Sequence, residues 1–242
     1  KRIATLPLFF EPGTHWWYGL NHDLLGLLIE KLSGKKFDVF LKESIFNKLD
    51  MENTDFYVPK EKKERLVIPY MKKKDGSLVE VKGPIADGFY SKPEFLSGGG
   101  GLVSTLEDYL KFCIMMLNGG VYNETQIISH KALEMMVSNH FPDGKTTLDM
   151  EYYKTEDSEI RKRNEGYGFG LGVKIKIAEN ITRSGIGEYG WGGAADTIFN
   201  IDPINQIITI MLSQHIPPDN NWIHPIQDNI KISELVYDTL GL

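Results

Sequence analysis

The sequence predicts an α+β fold in two lobes, with helices and loops first and an antiparallel sheet plus a terminal helix last. Three observations carry this. From Gly166 onward, Phe169, Leu171, Val173, Ile175 and Ile177 alternate with polar or glycine residues, the period of a strand with one buried face. Two further strand-like runs, Thr197 to Ile201 and Ile207 to Leu212, are joined only by Asp202-Pro203-Ile204-Asn205, too short a link for parallel strands. The first half carries helical spacing instead. The expected division is a mainly helical lobe over 1–140, a polar connecting loop over 141–165, and a sheet with a C-terminal helix over 166–242.

Taken in order, Leu6-Pro7-Leu8-Phe9-Phe10-Glu11-Pro12-Gly13 reads as an extended, turn-rich lead into Tyr18. A helix follows, with Asn21 as N-cap and Leu24, Leu25, Leu28, Ile29 and Leu32 on its buried side; Gly34 ends it. A second helix over about residues 37–48 carries Phe37, Phe40, Leu41 and Ile45 at helical spacing. Leu66 to Val81 reads as a hairpin around Asp75-Gly76, and Ser97 to Gly101 as a glycine-rich loop. Ser104 and Glu107 suit a capping box for a helix that stops at Asn118-Gly119-Gly120. A short helix is expected from His130 to Ser138, and Phe141 to Glu165 lacks any period. The last helix, from about Pro225 to Leu240, should turn Ile226, Ile230, Val236 and Leu240 toward the sheet.

The 242 residues are 41% hydrophobic and 25% charged, ordinary for a globular protein and enough for a sizeable core. A net charge of −6 argues against nucleic acid as a partner, because phosphate binding needs a basic surface. The lysines of Lys60 to Lys63 and Lys72 to Lys74 read as solvated loop faces. The single cysteine, Cys113, rules out an internal disulfide; its apolar run Phe112-Cys113-Ile114-Met115-Met116 suits a buried, inert thiol. No apolar stretch approaches the roughly 20 residues of a membrane span. The six histidines do not pair at metal-ligand spacing, so neither a metal nor another cofactor is expected.

The most informative stretch is Gly190 to Asp202, Gly-Trp-Gly-Gly-Ala-Ala-Asp-Thr-Ile-Phe-Asn-Ile-Asp. Its small residues would let a backbone come close to a ligand, and the alternating residues after them read as a strand. Bare N–H groups at such a strand suit a substrate-carbonyl or oxyanion site.

Three segments together resemble the serine β-lactamase-like, penicillin-binding superfamily, in its class C β-lactamase and family VIII carboxylesterase branch. They are Pro12 to Gly26 around Tyr18, Ser97 to Thr105 with Glu107-Asp108, and Trp191-Gly192-Gly193 followed by Ile201-Asp202-Pro203. They keep the family's order and span the chain from Leu6 almost to Leu242. The resemblance implies the β-lactamase/transpeptidase-like fold and a serine hydrolase that works through an acyl-enzyme. It makes Tyr18 part of the general base and the Ala194 N–H an oxyanion donor, with Trp191, Gly192 and Gly193 forming the wall of the site. A phenol can act as base near neutral pH only beside a cation, since its ordinary pKa is about 10. The alternative for Tyr18 is an aromatic anchor packed with Trp16 and Trp17, and for Trp191 a core aromatic at a strand start. Gln214 and His215, at the end of a strand, are further candidates to line the substrate pocket.

Two departures shift the expectation from β-lactam to ester. Trp191 stands where lactamases carry a cationic residue that pairs with the substrate carboxylate, and Leu20 where they place an asparagine. The family's nucleophile, a Ser-x-x-Lys upstream of the tyrosine, is not evident. The one match, Ser33-Gly34-Lys35-Lys36, follows the Tyr18 helix and closes it, whereas a catalytic serine should open a helix. No Gly-x-Ser-x-Gly elbow is present. The nucleophile is therefore expected on a segment upstream of Lys1, so that this chain alone would be inactive. The exposed sheet edge left by its strands would need a cover: that segment, a second chain or a symmetry mate. The competing functions are a non-catalytic binding module of the same fold and a D-amino-acid or penicillin-binding peptidase.

Overall fold

A computed structural model describes residues 5–151, 156, 158–180, 182–216 and 227–242. Helix α1 (Asn21–Ser33) is closed by Gly34, whose backbone is left-handed and whose N–H bonds the Glu30 carbonyl at 3.0 Å. Its start differs from expectation: Leu20 holds the N-cap position, with no side-chain cap bond. Helix α2 (Phe37–Leu41) runs on through a π-turn over Lys42–Phe46 and a 3₁₀ turn over Asn47–Leu49, so the expected second helix is one continuous but irregular rod. Phe37, Phe46 and Leu49 are its buried residues.

The burial of α1 overturns the sequence expectation. Leu24, Leu25, Leu28 and Leu32 are exposed, Leu32 to 78%, while Asp23 and Gly26 are the residues turned inward. Gly26 packs under the Phe37 ring: a Cβ there would lie 3.2 Å from it. The apolar stripe is real, but among the described residues nothing covers it.

The hairpin of β1 (Tyr70–Lys72) and β2 (Leu78–Glu80) forms around Asp75-Gly76 as expected. After the short helix α3 (Pro84–Asp87), helix α4 (Leu106–Leu117) is capped by Thr105, whose hydroxyl accepts the Asp108 N–H; Ser104 instead bonds the Thr54 hydroxyl at 2.7 Å. Strands β3 (Val121–Tyr122) and β4 (Thr125–Gln126) lead to α5 (His130–Met136). The stretch expected to be loop holds two short helices, α6 (Thr147–Met150) and α7 (Ser158–Asn164). A capping box between Thr146 and Asp149 starts the former, a local signal that the missing periodicity obscured.

The main sheet has five antiparallel strands in sequence order: β5 (Tyr167–Phe169), β6 (Lys174–Lys176), β7 (Tyr189–Gly192), β8 (Ile198–Asp202) and β9 (Ile207–Met211). The single strand expected over Phe169 to Ile177 is two, folded back at Gly170-Leu171-Gly172 so that Phe169 faces Lys174. Edge strands β5 and β9 each have one strand neighbour among the described residues. Val173, Ile175, Tyr189 and Ile201 bury against Cys113, Met115 and Met116 of α4 and against Phe46, Leu49 and Met51.

Helix α8 (Gln227–Leu240) closes the chain. Its expected start at Pro225 and the contact of Ile226 fall outside the described residues. Leu240 is exposed, and the residue that anchors the helix is Tyr237, whose hydroxyl donates to Asp202 Oδ2 at 2.6 Å. Asp202 is buried and also accepts the N–H of Gly185, Ile204 and Asn205 and the Asn205 amide. Nearby, the buried Lys176 ammonium donates to the carbonyls of Thr182 and Ser184, and Glu188 accepts from Ser184 and Tyr167. Every charge taken from water there is matched by fixed dipoles, which such burial requires.

Candidate active site

The segment that carries Tyr18 is fixed at both ends. Before it, the Trp16 N–H donates to the Met150 carbonyl at 2.6 Å, and Trp16 forms a bridge with Glu151. After it, Asp23 in the first turn of α1 accepts the Ser97 hydroxyl at 2.5 Å and the Gly99 N–H at 3.4 Å. The glycine-rich loop thus lies directly on the start of α1. Gly98 allows this: a Cβ at that position would sit 2.3 Å from the His22 carbonyl oxygen. Gly98 and Gly99 serve this close approach to the start of α1, whereas a Cβ on Gly101 would meet Ser97 and Phe56 instead.

Between these anchors Tyr18 projects into solvent at 64% exposure and stacks on Trp191 at the end of β7, with ring centroids 6.4 Å apart and planes 7° from parallel. Trp191 also meets Phe169 edge-on at 5.3 Å and Trp16 at 6.5 Å. Phe141 stacks on Phe169 in turn. The result is an aromatic wall gathered from four distant stretches of chain, with the phenol at its open side. The Tyr18 hydroxyl makes no hydrogen bond with the described residues. The ring partner of Tyr18 is Trp191, which Trp16 also meets.

The glycine–alanine stretch takes a shape the sequence did not suggest. It is not the opening of a strand but the turn between β7 and β8. The Gly193 N–H bonds the Thr197 carbonyl at 2.7 Å, and the Asp196 N–H bonds that of Gly193 at 3.1 Å. A Cβ on Gly193 would lie 2.2 Å from the Thr197 hydroxyl, so a larger residue there would have to displace that side chain. Ala194 sits at the turn's exposed tip, and its N–H makes no hydrogen bond with the described residues. Gly192 ends β7 between Trp191 and that turn.

Gln214 lies beyond β9, half-buried; its carbonyl accepts the Tyr70 N–H at 2.8 Å, so it ties the small β1–β2 hairpin to the sheet. His215 beside it reaches the turn: its Nδ1 donates to Asp196 Oδ2 at 2.7 Å, and its N–H to the Ala195 carbonyl at 3.2 Å. Asp23, Trp16, Phe169 and Asp196 were not singled out by sequence reasoning. Asp23 had a usable signal, an acid in the first turn of a helix preceded by a tyrosine; the others had none.

Ser33 is the last residue of α1, and its hydroxyl donates to the Ile29 carbonyl at 2.7 Å. Lys36 points toward Glu30 instead. Among the described residues, neither makes a hydrogen bond or ion pair to a residue of the aromatic wall. Among the described residues no group of three His, Cys, Asp or Glu side chains could hold a metal ion, and no helix is long and apolar enough to cross a membrane.

Comparison with known proteins agrees with this architecture. The family model described as Beta-lactamase matches residues 1–224. Uncharacterized protein MT1414 of Mycobacterium tuberculosis is 27% identical over 222 residues, which is 89% of this chain and 52% of the relative. The N-acetylmuramyl-L-alanine amidase of Bacillus subtilis is 25% identical over 242 residues, 90% of this chain and 50% of the relative. Among solved structures, EstCE1, a hydrolase with promiscuous acyltransferase activity, superposes with a TM-score of 0.72 at 18% identity, covering 94% of this chain and 59% of that one. That likeness shows the fold. The chain spans about half the length of the curated relatives it matches.

Proposed function

The chain belongs to the Beta-lactamase family and has the β-lactamase/transpeptidase-like fold, and from that premise we propose that it is part of a serine hydrolase. In this reading the enzyme cleaves a carboxylic ester or a related amide through an acyl-enzyme. The observation that carries it is the pairing of Tyr18 with Trp191: a solvent-open phenol without a hydrogen-bond partner stands against the strand that leads to the unbonded Ala194 N–H. Tyr18 serves as part of the general base once a cation is brought beside it. The Ala194 N–H is one donor to the developing oxyanion, where a preorganised donor acts most strongly. Trp191, Gly192 and Gly193 wall the acyl site, with Gln214 behind the turn.

The nucleophile belongs outside the residues of this chain, because the one Ser-x-x-Lys present ends a helix with its hydroxyl committed to a carbonyl. Lys1 to Leu242 alone is therefore inactive in this reading. Trp191 offers no charge to a substrate carboxylate, which favours esters over β-lactams. The amidase from Bacillus subtilis favours a second reading, an amide or peptide substrate at the same site.

The test is turnover of p-nitrophenyl butyrate, and labelling by a fluorophosphonate, in the protein expressed with the residues encoded before Lys1. Turnover with stoichiometric labelling is expected. Absence of both, in protein shown to be folded, overturns the hydrolase reading and leaves a binding module. Release of D-alanine from a peptide in preference to ester cleavage selects the second reading.

A further inference from the structure

Asp196 is a non-glycine residue with a left-handed backbone (φ 59°), at the base of the turn whose tip is Ala194. That conformation is uncommon for residues other than glycine and asparagine or aspartate. It is held from outside the turn. His215 Nδ1 donates to Asp196 Oδ2 at 2.7 Å, and the His215 N–H to the Ala195 carbonyl at 3.2 Å. The Ser213 hydroxyl lies 3.1 Å from the Ala195 carbonyl and 2.9 Å from that of Asp196. The segment making these contacts is itself gripped by Tyr70, whose N–H bonds the Gln214 carbonyl and whose carbonyl accepts the Ile216 N–H, each at 2.8 Å.

Ser213, His215 and Asp196 have the residue types of a hydrolytic triad but not its connection. The Ser213 hydroxyl is spent on backbone carbonyls and makes no bond to the imidazole. What the arrangement does is mechanical. Four polar contacts from residues 213–215 converge on Ala195 and Asp196, directly after the residue whose N–H is open. The carboxylate–imidazole bond is the only one of them formed between two side chains, so it is the one that sequence can tune.

We propose that Asp196 and His215 form a positioning pair, which holds the Gly193–Thr197 turn so that the Ala194 N–H faces the substrate carbonyl oxygen. This rests on the hydrolase reading above for its chemical consequence, but not for its structural one. Neither residue touches the reacting atoms. An oxyanion donor must keep its aim to be effective, and a small misplacement is enough to lose rate.

Three variants of the full-length protein test the pair. Asp196→Gly removes the carboxylate and suits the left-handed backbone, so folding is preserved. His215→Phe removes the ring donor and leaves the turn sequence intact. Asp196→Asn keeps an acceptor oxygen and tolerates the same backbone. The expected result is faster amide exchange over residues 193–197 in the first two, with Tm unchanged, and recovery in the third. With p-nitrophenyl butyrate, kcat falls about tenfold to a hundredfold in the first two while KM stays level, as for loss of a transition-state interaction. The double variant is no worse than either single one, because both break the same contact. Wild-type exchange and kcat in His215→Phe overturn the pair. A wild-type protein without ester turnover overturns the hydrolase reading instead; the exchange measurement then decides the pair alone, which stands if exchange rises and falls if it does not.

Discussion

The Tyr18 phenol ring stacks on the Trp191 indole, with centroids 6.4 Å apart and planes 7° from parallel, although the two residues lie far apart in the chain. One enters from the segment before α1 and the other from the end of β7. Neither position has meaning alone: the phenol lacks a wall, and Trp191 carries no titratable group. Their contact joins the helical part of the molecule to the sheet at one surface.

Removing the Tyr18 hydroxyl while keeping the ring separates chemistry from packing. Tyr18→Phe retains the stack on Trp191, so Tm should not move. In the full-length protein kcat for an activated ester should fall by about 10²–10⁴, the usual contribution of a general base. Trp191→Ala should lower stability as well, by about 0.5–1.5 kcal/mol for the lost aromatic pairing beyond its area burial. A Tyr18→Phe protein as active as wild type removes Tyr18 from the chemistry.

The link between Asp23 and the glycine-rich loop should be measurable as stability. Asp23→Ala leaves the Ser97 hydroxyl and the Gly99 N–H without their acceptor, at a cost of about 1–3 kcal/mol. For a chain of this size each kcal/mol shifts Tm by about 2–4 °C. Gly98→Ala should be at least as damaging, since the added carbon meets the backbone of His22 rather than a movable side chain. Thermal unfolding followed by circular dichroism checks both; two unchanged Tm values would mean that the loop is not held there.

Acid should unfold the protein partly through Asp202. Burial disfavours its charged form, but the hydrogen bonds from Tyr237, Gly185 and Asn205 outweigh that and hold the carboxyl below its ordinary range. A carboxyl depressed in the folded state stabilises it at every pH above the unfolded value of about 3.9 and loses that contribution as pH falls toward the folded value. Stability measured by denaturant titration from pH 6 downward should therefore drop below about pH 4 in the wild type. The drop should be shallower in Asp202→Asn, which starts less stable at neutral pH. Parallel curves for the two proteins would contradict this assignment.

Cys113 should be silent to thiol reagents. It is fully buried, and burial pushes its thiol up to about 12. Only the thiolate reacts, so iodoacetamide at pH 8 should leave the folded protein unmodified and alkylate one site after denaturation. Mass spectrometry distinguishes the two; modification without unfolding would require an open path to the core.

The parts legible in the sequence were those decided over short distances. The turn at Asp202-Pro203 paired β8 with β9, Gly34 stopped α1, and the apolar run around Cys113 went to the core. Two of the errors share one origin. The alternation over Phe169 to Ile177 has the same period whether the chain runs straight or folds back at Gly170, so a hairpin read as one strand. The small residues after Trp191 suit both a strand beside a ligand and a tight turn, and hydrogen bonds across the turn chose the second.

The sequence by itself determined the order and type of most elements, the antiparallel pairing, and which segments resemble a hydrolase site. These depend on side-chain periodicity, turn length and capping, all read within a few residues. Only the tertiary structure decided that the leucines of α1 face outward, that Asp23 holds the glycine loop, and that Tyr18 meets Trp191 while His215 meets Asp196. Periodicity reports which residues share a face, but not what lies against that face. A hydrogen bond or ring contact between distant residues exists only once the whole chain has brought them within a few ångströms.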